Sequence, residues 1–184
     1  REIVRQALLL NRKYWIVVAN PPYMGGGSFN FKVNEFVKNN YLASKNDLFA
    51  VFMERCLEMV MHQGFISNIN QHSWMFLGGY ENLRKKVLRN TFFINMIHLG
   101  IGVFQEINSK VVQSTAFVLK NIINSIETKN RPVFVRLIEK HSPAWKCQTL
   151  LNASNRFNEI EQIDFLKLPG SPISYWATKK YFEL

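Results

Sequence analysis

The 184-residue sequence predicts an α/β fold whose sheet is mostly parallel and ends in an antiparallel hairpin. Three observations support this prediction. The apolar run at residues 14–19 shows no alternation, which is typical of a strand buried on both faces of a parallel sheet. Helical and extended patterns alternate after it, as they do in α/β proteins. Two strand-like segments, 94–99 and 115–120, are close enough in sequence to pair antiparallel.

The first strand, the first helix and the second strand follow one another between residues 14 and 69. The first strand is ended by Asn20-Pro21-Pro22. The spacing of Ser44 and Asp47 is that of a capping box, and it predicts the start of a helix whose apolar residues repeat as far as Gly64. Gly64 is expected to end this helix and to lead into a strand at residues 65–69.

A second helix is predicted over residues 80–89. Its apolar residues face inward at helical spacing, which leaves a basic outer face. The residues of that basic face are Arg84, Lys85, Lys86 and Arg89. After residue 121 the pattern becomes polar, one more strand is expected at residues 133–138, and a boundary is predicted near residue 125.

The composition indicates a basic, folded domain. There are 23 Lys and Arg against 13 Asp and Glu, which gives a formal charge of +10. The excess is spread along the chain, and this favours a polyanion-binding surface, usually one for nucleic acid, over a flexible basic arm. A soluble basic protein with no polyanion partner fits the charge equally well.

Cysteines, histidines and apolar runs exclude several other classes of protein. Cys56 and Cys147 lie far apart and form no C-x-x-C pair, which indicates a reduced, intracellular protein without a zinc ribbon. The four histidines show no ligand spacing, so no metal site is predicted and no chemistry is assigned to them. No apolar run approaches the ~20 residues that span a bilayer, so no membrane partner is expected.

The segment Asn20-Pro21-Pro22-Tyr23 lies directly after the first predicted strand. Ligands of an open α/β sheet bind outside the carboxyl ends of its strands, so this loop is expected to face the reaction crevice. The prolines fix the backbone and leave carbonyl groups unpaired, the asparagine supplies an amide oxygen, and the tyrosine supplies a flat ring. This set suits a planar substrate that bears an amino group.

The segment VVANPPY resembles the catalytic motif of amino-group methyltransferases that use S-adenosylmethionine, in particular the adenine-specific DNA methyltransferases. As far as residue 120, the chain is similar to the large type I-like, type IIG-like and phage-exclusion (BREX, PglX-type) enzymes. The segments YMGGGS, GFISNI with SWMF, and GVFQ ahead of STAFVLKN fit that subgroup. Its helix pattern K-x-D-L-x-x-x-F-x-E is present as Lys45, Asp47, Leu48, Phe52 and Glu54.

The resemblance implies roles for individual residues. Asn20, Pro21, Pro22 and Tyr23 form the catalytic loop. The Asn20 side-chain oxygen and the Pro21 carbonyl would accept hydrogen bonds from the exocyclic amine of a flipped-out adenine. Tyr23 would stack on the base, and Phe104 would close over its opposite face.

The resemblance also implies a partial Rossmann-like class I methyltransferase fold with S-adenosylmethionine as cofactor. Asp47 matches a position beside the cofactor pocket, where a capping role explains it equally well. The glycine-rich cofactor loop of the family lies upstream of the motif and is absent from this sequence. Residues 1–124 are therefore expected to be the C-terminal half of the catalytic domain, and 125–184 a linker and the start of a target-recognition-side region. This piece alone is expected to be inactive.

The implied partners are double-stranded DNA, the remainder of a parent chain, and restriction or phage-defence subunits, in the cytoplasm of a bacterium or archaeon. Two alternatives stay open. The same loop serves protein glutamine and RNA methyltransferases. A non-catalytic DNA-binding or assembly module fits as well, because the cofactor loop is absent.

Overall fold

The computed structural model describes residues 1–103, 112–122, 131–140 and 142–182. In these ranges six strands form one sheet, and five α-helices connect or flank them. The strands are β1 (Tyr14–Ala19), β2 (Val60–Gln71), β3 (Thr91–Gly100), β4 (Ser114–Asn121), β5 (Val133–Arg136) and β6 (Arg156–Phe157). The helices are α1 (Glu2–Asn11), α2 (Phe31–Asn40), α3 (Leu48–Met59), α4 (Glu81–Asn90) and α5 (Pro143–Leu151).

The sheet has the strand order β1-β2-β4-β3-β5-β6. The pairs β1–β2 and β3–β5 are parallel, whereas β4 and β6 run antiparallel to their neighbours. Four strands therefore share one direction, and their carboxyl ends meet at one edge. The predicted α/β fold is confirmed, together with the antiparallel hairpin, which is formed by β3 and β4. The hairpin turns back so that β4 lies between β2 and β3.

Helix α3 begins and ends at other residues than the sequence pattern predicts. Asp47 is its N-cap, because the Asp47 side chain accepts a hydrogen bond from the backbone N–H of Phe49. The Ser44 hydroxyl instead donates to Glu54 at 2.6 Å, so the predicted capping box is wrong. The helix ends at Met59 and packs its apolar side onto one face of the sheet.

Gly64 lies inside β2 and does not end a helix, so that prediction is also wrong. The pairing register runs from Tyr14 opposite Val60 to Ile16 opposite Phe65, which means that β2 bulges between these points. A Cβ atom on Gly64 would lie 2.7 Å from the backbone oxygen of Trp15. The residue is therefore glycine because β1 passes too close for any side chain.

Strand β1 is buried on one face only, whereas the sequence predicts burial on both. Val17 and Ala19 pack against the core, but Trp15, Ile16 and Val18 are 64%, 66% and 72% exposed. The reason is that no described segment packs over the face that carries Ile16 and Val18. An uninterrupted apolar run indicates that both faces of a strand are covered by protein. It does not show which segment of the chain packs on each face.

The covered face of the sheet carries one aromatic-rich core that includes residues from both ends of the chain. Phe93 stacks on Trp74, and Phe134 stacks on Tyr175 with ring centroids 4.9 Å apart. Ile160 and Phe165 belong to the same core. Because both parts share one sheet and one core here, the division into 1–124 and 125–184 stays a prediction. None of the described helices is long and apolar enough to cross a membrane.

Substituting Gly64 tests the close approach of β1 to β2. Gly64→Ala is expected to lower the free energy of unfolding by about 1–3 kcal/mol, because the new methyl group must displace the Trp15 backbone. Gly27→Ala is the matched control, since a Cβ atom at Gly27 meets nothing within 4 Å. Urea denaturation of both variants checks this, and an equal effect of the two would contradict the steric argument.

Candidate active site

The predicted catalytic loop lies at the edge where the carboxyl ends of the parallel strands meet. Residues 20–23 follow β1 directly. Asn20 and Pro22 are exposed, Pro21 is buried, and Tyr23 is half-buried. The Asn20 side chain is thus accessible at the carboxyl edge of the sheet, while the next residue is buried.

Tyr23 is held in place by a ring contact and a hydrogen bond. The ring packs edge-on against Phe49, with centroids 6.0 Å apart, and its hydroxyl donates to the Ile69 carbonyl at 3.3 Å. Burial raises the pKa of Tyr23, and the nearby Ser114 hydroxyl acts in the opposite direction. The phenol is therefore neutral at physiological pH, and its ring is held rigidly at the site. Its stacking on a base stays a prediction.

Asp47 ties the loop after Tyr23 to the start of α3. Its Oδ1 accepts hydrogen bonds from the N–H of Met24 at 3.0 Å and of Phe49 at 3.2 Å. The Leu48 N–H donates to the Met24 carbonyl at 2.9 Å, which closes the joint from the other side. Burial raises the pKa of Asp47, and these N–H groups partly offset the effect. The capping role is thus observed, and a contact with cofactor stays a prediction.

Residues 26–45 form a long insertion that begins and ends beside the contact between Met24 and Asp47. The Gly26 N–H donates to the Asn46 carbonyl at 2.8 Å, so the two ends of the insertion are hydrogen-bonded to each other. Helix α2 lies within it and packs Val37 and Tyr41 against Val51 of α3 in a small separate core. The family pattern Lys45 to Glu54 therefore serves to brace the loop, in addition to forming the helix.

Arg84 is buried, which contradicts the prediction that it belongs to an exposed basic face. Its guanidinium donates to the carbonyls of Trp74 at 2.8 Å, Leu77 at 2.6 Å and Gly170 at 2.6 Å. Helical spacing placed it outward, but residues 72–80 fold back over α4 and turn their carbonyls to it. Arg84 therefore holds the loop that follows β2 at the crevice edge.

The other predicted basic residues of α4 stay at the surface. Lys85 pairs with Glu81 at 2.6 Å, and Lys86 pairs with Glu54 at 2.6 Å, while Arg89 is exposed. The Lys85–Glu81 pair is exposed on both sides and contributes little to stability, whereas Glu54 of the second pair is buried.

Phe104 lies outside the described residues, but the start of its loop is anchored. The Lys146 ammonium donates to the carbonyls of Leu99 and Ile101, at the end of β3. Burial lowers the pKa of Lys146. The aromatic role of Phe104 stays a prediction.

Two histidines and a tyrosine, to which the sequence assigns no chemistry, meet at the same edge. His72 Nδ1 lies 3.1 Å from His98 Nε2, and His98 Nδ1 lies 3.0 Å from the Tyr175 hydroxyl. Their separation in sequence hides this contact, because residues 72, 98 and 175 come from three different parts of the chain. The described residues include no group of three or more His, Cys, Asp or Glu side chains able to hold a metal ion.

The described residues fit the amine-binding side of a methyl transfer, not the cofactor side. Asn20 offers a solvent-facing amide oxygen, whereas the Asp47 carboxylate is engaged with the backbone of its own loop. No step that involves the cofactor can therefore be derived from these residues.

An open α/β sheet with an antiparallel strand inserted between its parallel strands is the architecture of the class I methyltransferases. A class I S-adenosylmethionine-dependent methyltransferase from Listeria monocytogenes has this fold, with a TM-score of 0.55 and 12% identity. The match covers 78% of this chain and 43% of that protein.

Residues 3–104 match the family model described as Eco57I restriction-modification methylase, and the chain belongs to this family. It is 46% identical over 180 residues to the adenine-specific methyltransferase BrxX of Escherichia coli O9:H4 (strain HS). It is 41% identical over 194 residues to the adenine-specific methyltransferase PglX of Lacticaseibacillus casei (strain Zhang). These alignments cover 98% and 100% of the chain but only 15% of either relative. The resemblance seen in the sequence is thereby confirmed.

Substitutions of Asp47 test whether its hydrogen bonds to the loop or its negative charge stabilise the fold. Asp47→Ala is expected to lower the free energy of unfolding by about 1–2 kcal/mol, because the Met24 and Phe49 N–H groups lose their acceptor. Asp47→Asn keeps an oxygen at the same position and should stay close to the wild type. Urea denaturation with limited proteolysis of residues 24–28 measures this. Equal damage in both variants would indicate that the negative charge matters instead.

Removing Arg84 tests its role as a holder of the loop after β2. Arg84→Met should cost about 3 kcal/mol of unfolding free energy, because three carbonyl groups lose their donor. Lys85→Met on the same helix should cost below about 0.5 kcal/mol, since its ion pair is exposed. Denaturation curves of the two variants check this. Similar midpoints would contradict the prediction that the buried Arg84 contributes more to stability than the exposed Lys85.

Proposed function

We propose that the full-length protein transfers a methyl group from S-adenosylmethionine to the exocyclic amine of a flipped-out adenine in double-stranded DNA. The placement of the Asn20-Pro21-Pro22-Tyr23 loop at the carboxyl edge of the sheet carries this proposal. The adenine-specific names of BrxX and PglX support adenine over a glutamine side chain as acceptor. The restriction-modification family and the +10 charge support DNA and a role in restriction or phage defence.

The chemistry needs an amine with an available lone pair. An aromatic amine delocalises its lone pair into the ring, which makes it a poor nucleophile. The Asn20 oxygen and the Pro21 carbonyl each accept a hydrogen bond from one amine N–H, and this favours the pyramidal, more nucleophilic state. No strong base is required first, because the proton can leave after transfer. When bound by the full-length protein, S-adenosylmethionine supplies the methyl group.

Flipping the base also needs a favourable contact at the site. Taking a base out of the duplex costs a few kcal/mol, and stacking on an aromatic ring returns roughly 1–3 kcal/mol per base. The Tyr23 ring is already immobilised by Phe49 and by the Ile69 carbonyl, so it loses little freedom when a base stacks on it.

The remainder of the parent chain is the proposed cover for β1 and for the second face of the sheet, here called the uncovered face. By alternation this face includes the exposed residues Ile16, Val18 and Phe65. An open apolar cavity of about 380 Å³, lined by Ile97 and Val133 among others, lies on it. Apolar area of this kind requires protein cover in water. The chain spans 15% of the length of its relatives, which leaves ample sequence for this purpose.

Titration calorimetry compares this chain with the full-length protein. The full-length protein should bind S-adenosylmethionine, whereas residues 1–184 alone should bind it at least a hundredfold more weakly, because the glycine-rich loop lies outside them. Micromolar affinity of the chain alone would show that the cofactor site is contained within it.

Asn20→Ala in the full-length protein tests the assigned reaction. DNA adenine methylation should fall by a hundredfold or more, because one of the two amine acceptors is lost, while duplex binding should persist. Asn39→Ala, on the exposed surface of α2, is the control and should leave both unchanged. Methylation assays on duplex DNA, structured RNA and protein substrates separate the candidate substrates. Methylation of DNA by Asn20→Ala at the wild-type rate would remove the assigned role.

A further inference from the structure

Burial determines which group donates and which accepts in the hydrogen-bonded chain of His72, His98 and Tyr175. Tyr175 is 1% exposed, and His98 Nδ1 is the only hydrogen-bond partner of its hydroxyl among the described residues. A buried hydroxyl without an acceptor for its proton costs about 1–3 kcal/mol. The Tyr175 hydroxyl therefore donates to His98 Nδ1, and this ring nitrogen carries no proton.

Because His98 is neutral, the position of its proton also determines which histidine donates in the contact with His72. Burial, followed by the neighbouring His72 and Arg136, lowers the pKa of His98 to about 4. A neutral imidazole with a bare Nδ1 holds its proton on Nε2. That proton points along the 3.1 Å contact to His72 Nδ1, so His98 is the donor and His72 the acceptor.

His72 is left with one free hydrogen-bond donor. Burial lowers the pKa of His72, so the ring is neutral and carries its proton on Nε2. In the described parts of the chain this Nε2 has no hydrogen-bond partner. The side chain is half-buried, with Phe76 edge-on against it at 5.5 Å between centroids, so its ring plane is held.

This donor lies at the same end of β2 as the Tyr23 ring. The Tyr23 hydroxyl bonds the Ile69 carbonyl and also interacts with Ser114, which pairs with Gln71. His72 follows Gln71, and its backbone N–H bonds the Gln113 carbonyl at 2.9 Å. The His72 ring and the Tyr23 ring therefore both lie at the carboxyl end of β2.

We propose that His72 Nε2–H donates a hydrogen bond to a ring nitrogen of the target base, and that Tyr175 and His98 fix this role as positioning residues. The proposal rests on the proposed function, because it assumes a base on Tyr23. Adenine offers acceptors at N1 and N7, on either side of the carbon that bears the amine. At N1, guanine carries a proton and would oppose the His72 proton, so a donor that reads N1 also excludes guanine.

Substitutions at His72 in the full-length protein test the donor. His72→Leu should lower kcat/KM for adenine methylation in duplex DNA by about tenfold, the loss of one hydrogen bond in a dry site. His72→Gln places an amide N–H near the same position and should stay within a few-fold of the wild type. Duplex affinity should change in neither variant. Equal loss in both variants would overturn the donor role.

Modified duplexes identify the acceptor without depending on a variant that folds. The target adenine is replaced by 1-deazaadenine or 7-deazaadenine, each of which lacks one ring acceptor. The wild type should lose about tenfold on one of the two, and His72→Leu should show no further loss on that duplex. Wild-type rates on both deaza duplexes that equal the rate on adenine would overturn the proposal.

Tyr175→Phe tests the relay, because it removes only the hydroxyl. His98 Nδ1 then lacks its donor, and the tautomer of His72 is no longer imposed. The kcat/KM for the adenine duplex should fall several-fold. The kcat/KM for the deaza duplex on which the wild type already loses about tenfold should not change. An equal fall on both duplexes would show a merely structural role. Asn20→Ala is measured in parallel. An inactive Asn20→Ala with a fully active His72→Leu defeats this proposal alone, whereas an active Asn20→Ala defeats the proposed function.

Discussion

The parallel pairing of β1 with β2 is the interaction on which the rest of the site depends. It places residues 20–23 beside the carboxyl end of β2, where the Tyr23 hydroxyl reaches the Ile69 carbonyl. The pairing is close because Gly64 has no side chain to meet the Trp15 backbone. A loop with two prolines has little regular structure of its own, so its position relative to the other strands comes from this pairing.

The loops of the site are held by charged side chains that bond to backbone groups. Asp47 binds the loop after Tyr23, Arg84 binds the loop after β2, and Lys146 binds the end of β3. All three are largely buried, where a hydrogen bond to a charged group is stronger and its loss more costly. These bonds hold the loops at the carboxyl edge in defined positions, which is what the proposed placement of a base would require.

Two unlike surface properties indicate two kinds of partner. The uncovered face exposes Ile16, Val18 and Phe65, which calls for protein cover. The +10 charge is compatible with a polyanion partner. The proposed function, a larger DNA methyltransferase that contains this chain, would account for both, and neither observation implies the other. The family and the length of the relatives agree with this view.

The position of the Asn20–Tyr23 loop and the order of most elements were predictable because they depend on local sequence. Helical spacing, the apolar run before Asn20 and the motif itself act over a few residues. The errors arose where distant segments meet. The N-cap moved from Ser44 to Asp47 because Glu54 holds the Ser44 hydroxyl, and Gly64 proved to be a point of close approach between strands.

Local sequence patterns were enough to predict the fold class, the family and the placement of the Asn20–Tyr23 loop after β1. Which polar groups lie near that loop depends on contacts between distant segments. Arg84 looks like a surface residue by helical spacing, but the carbonyls of residues 72–80 and of Gly170 bury it. His72, His98 and Tyr175 are brought together by the insertion of β4 between β2 and β3 and by the return of the C-terminal segment. Contacts of such long sequence separation leave no local pattern to read.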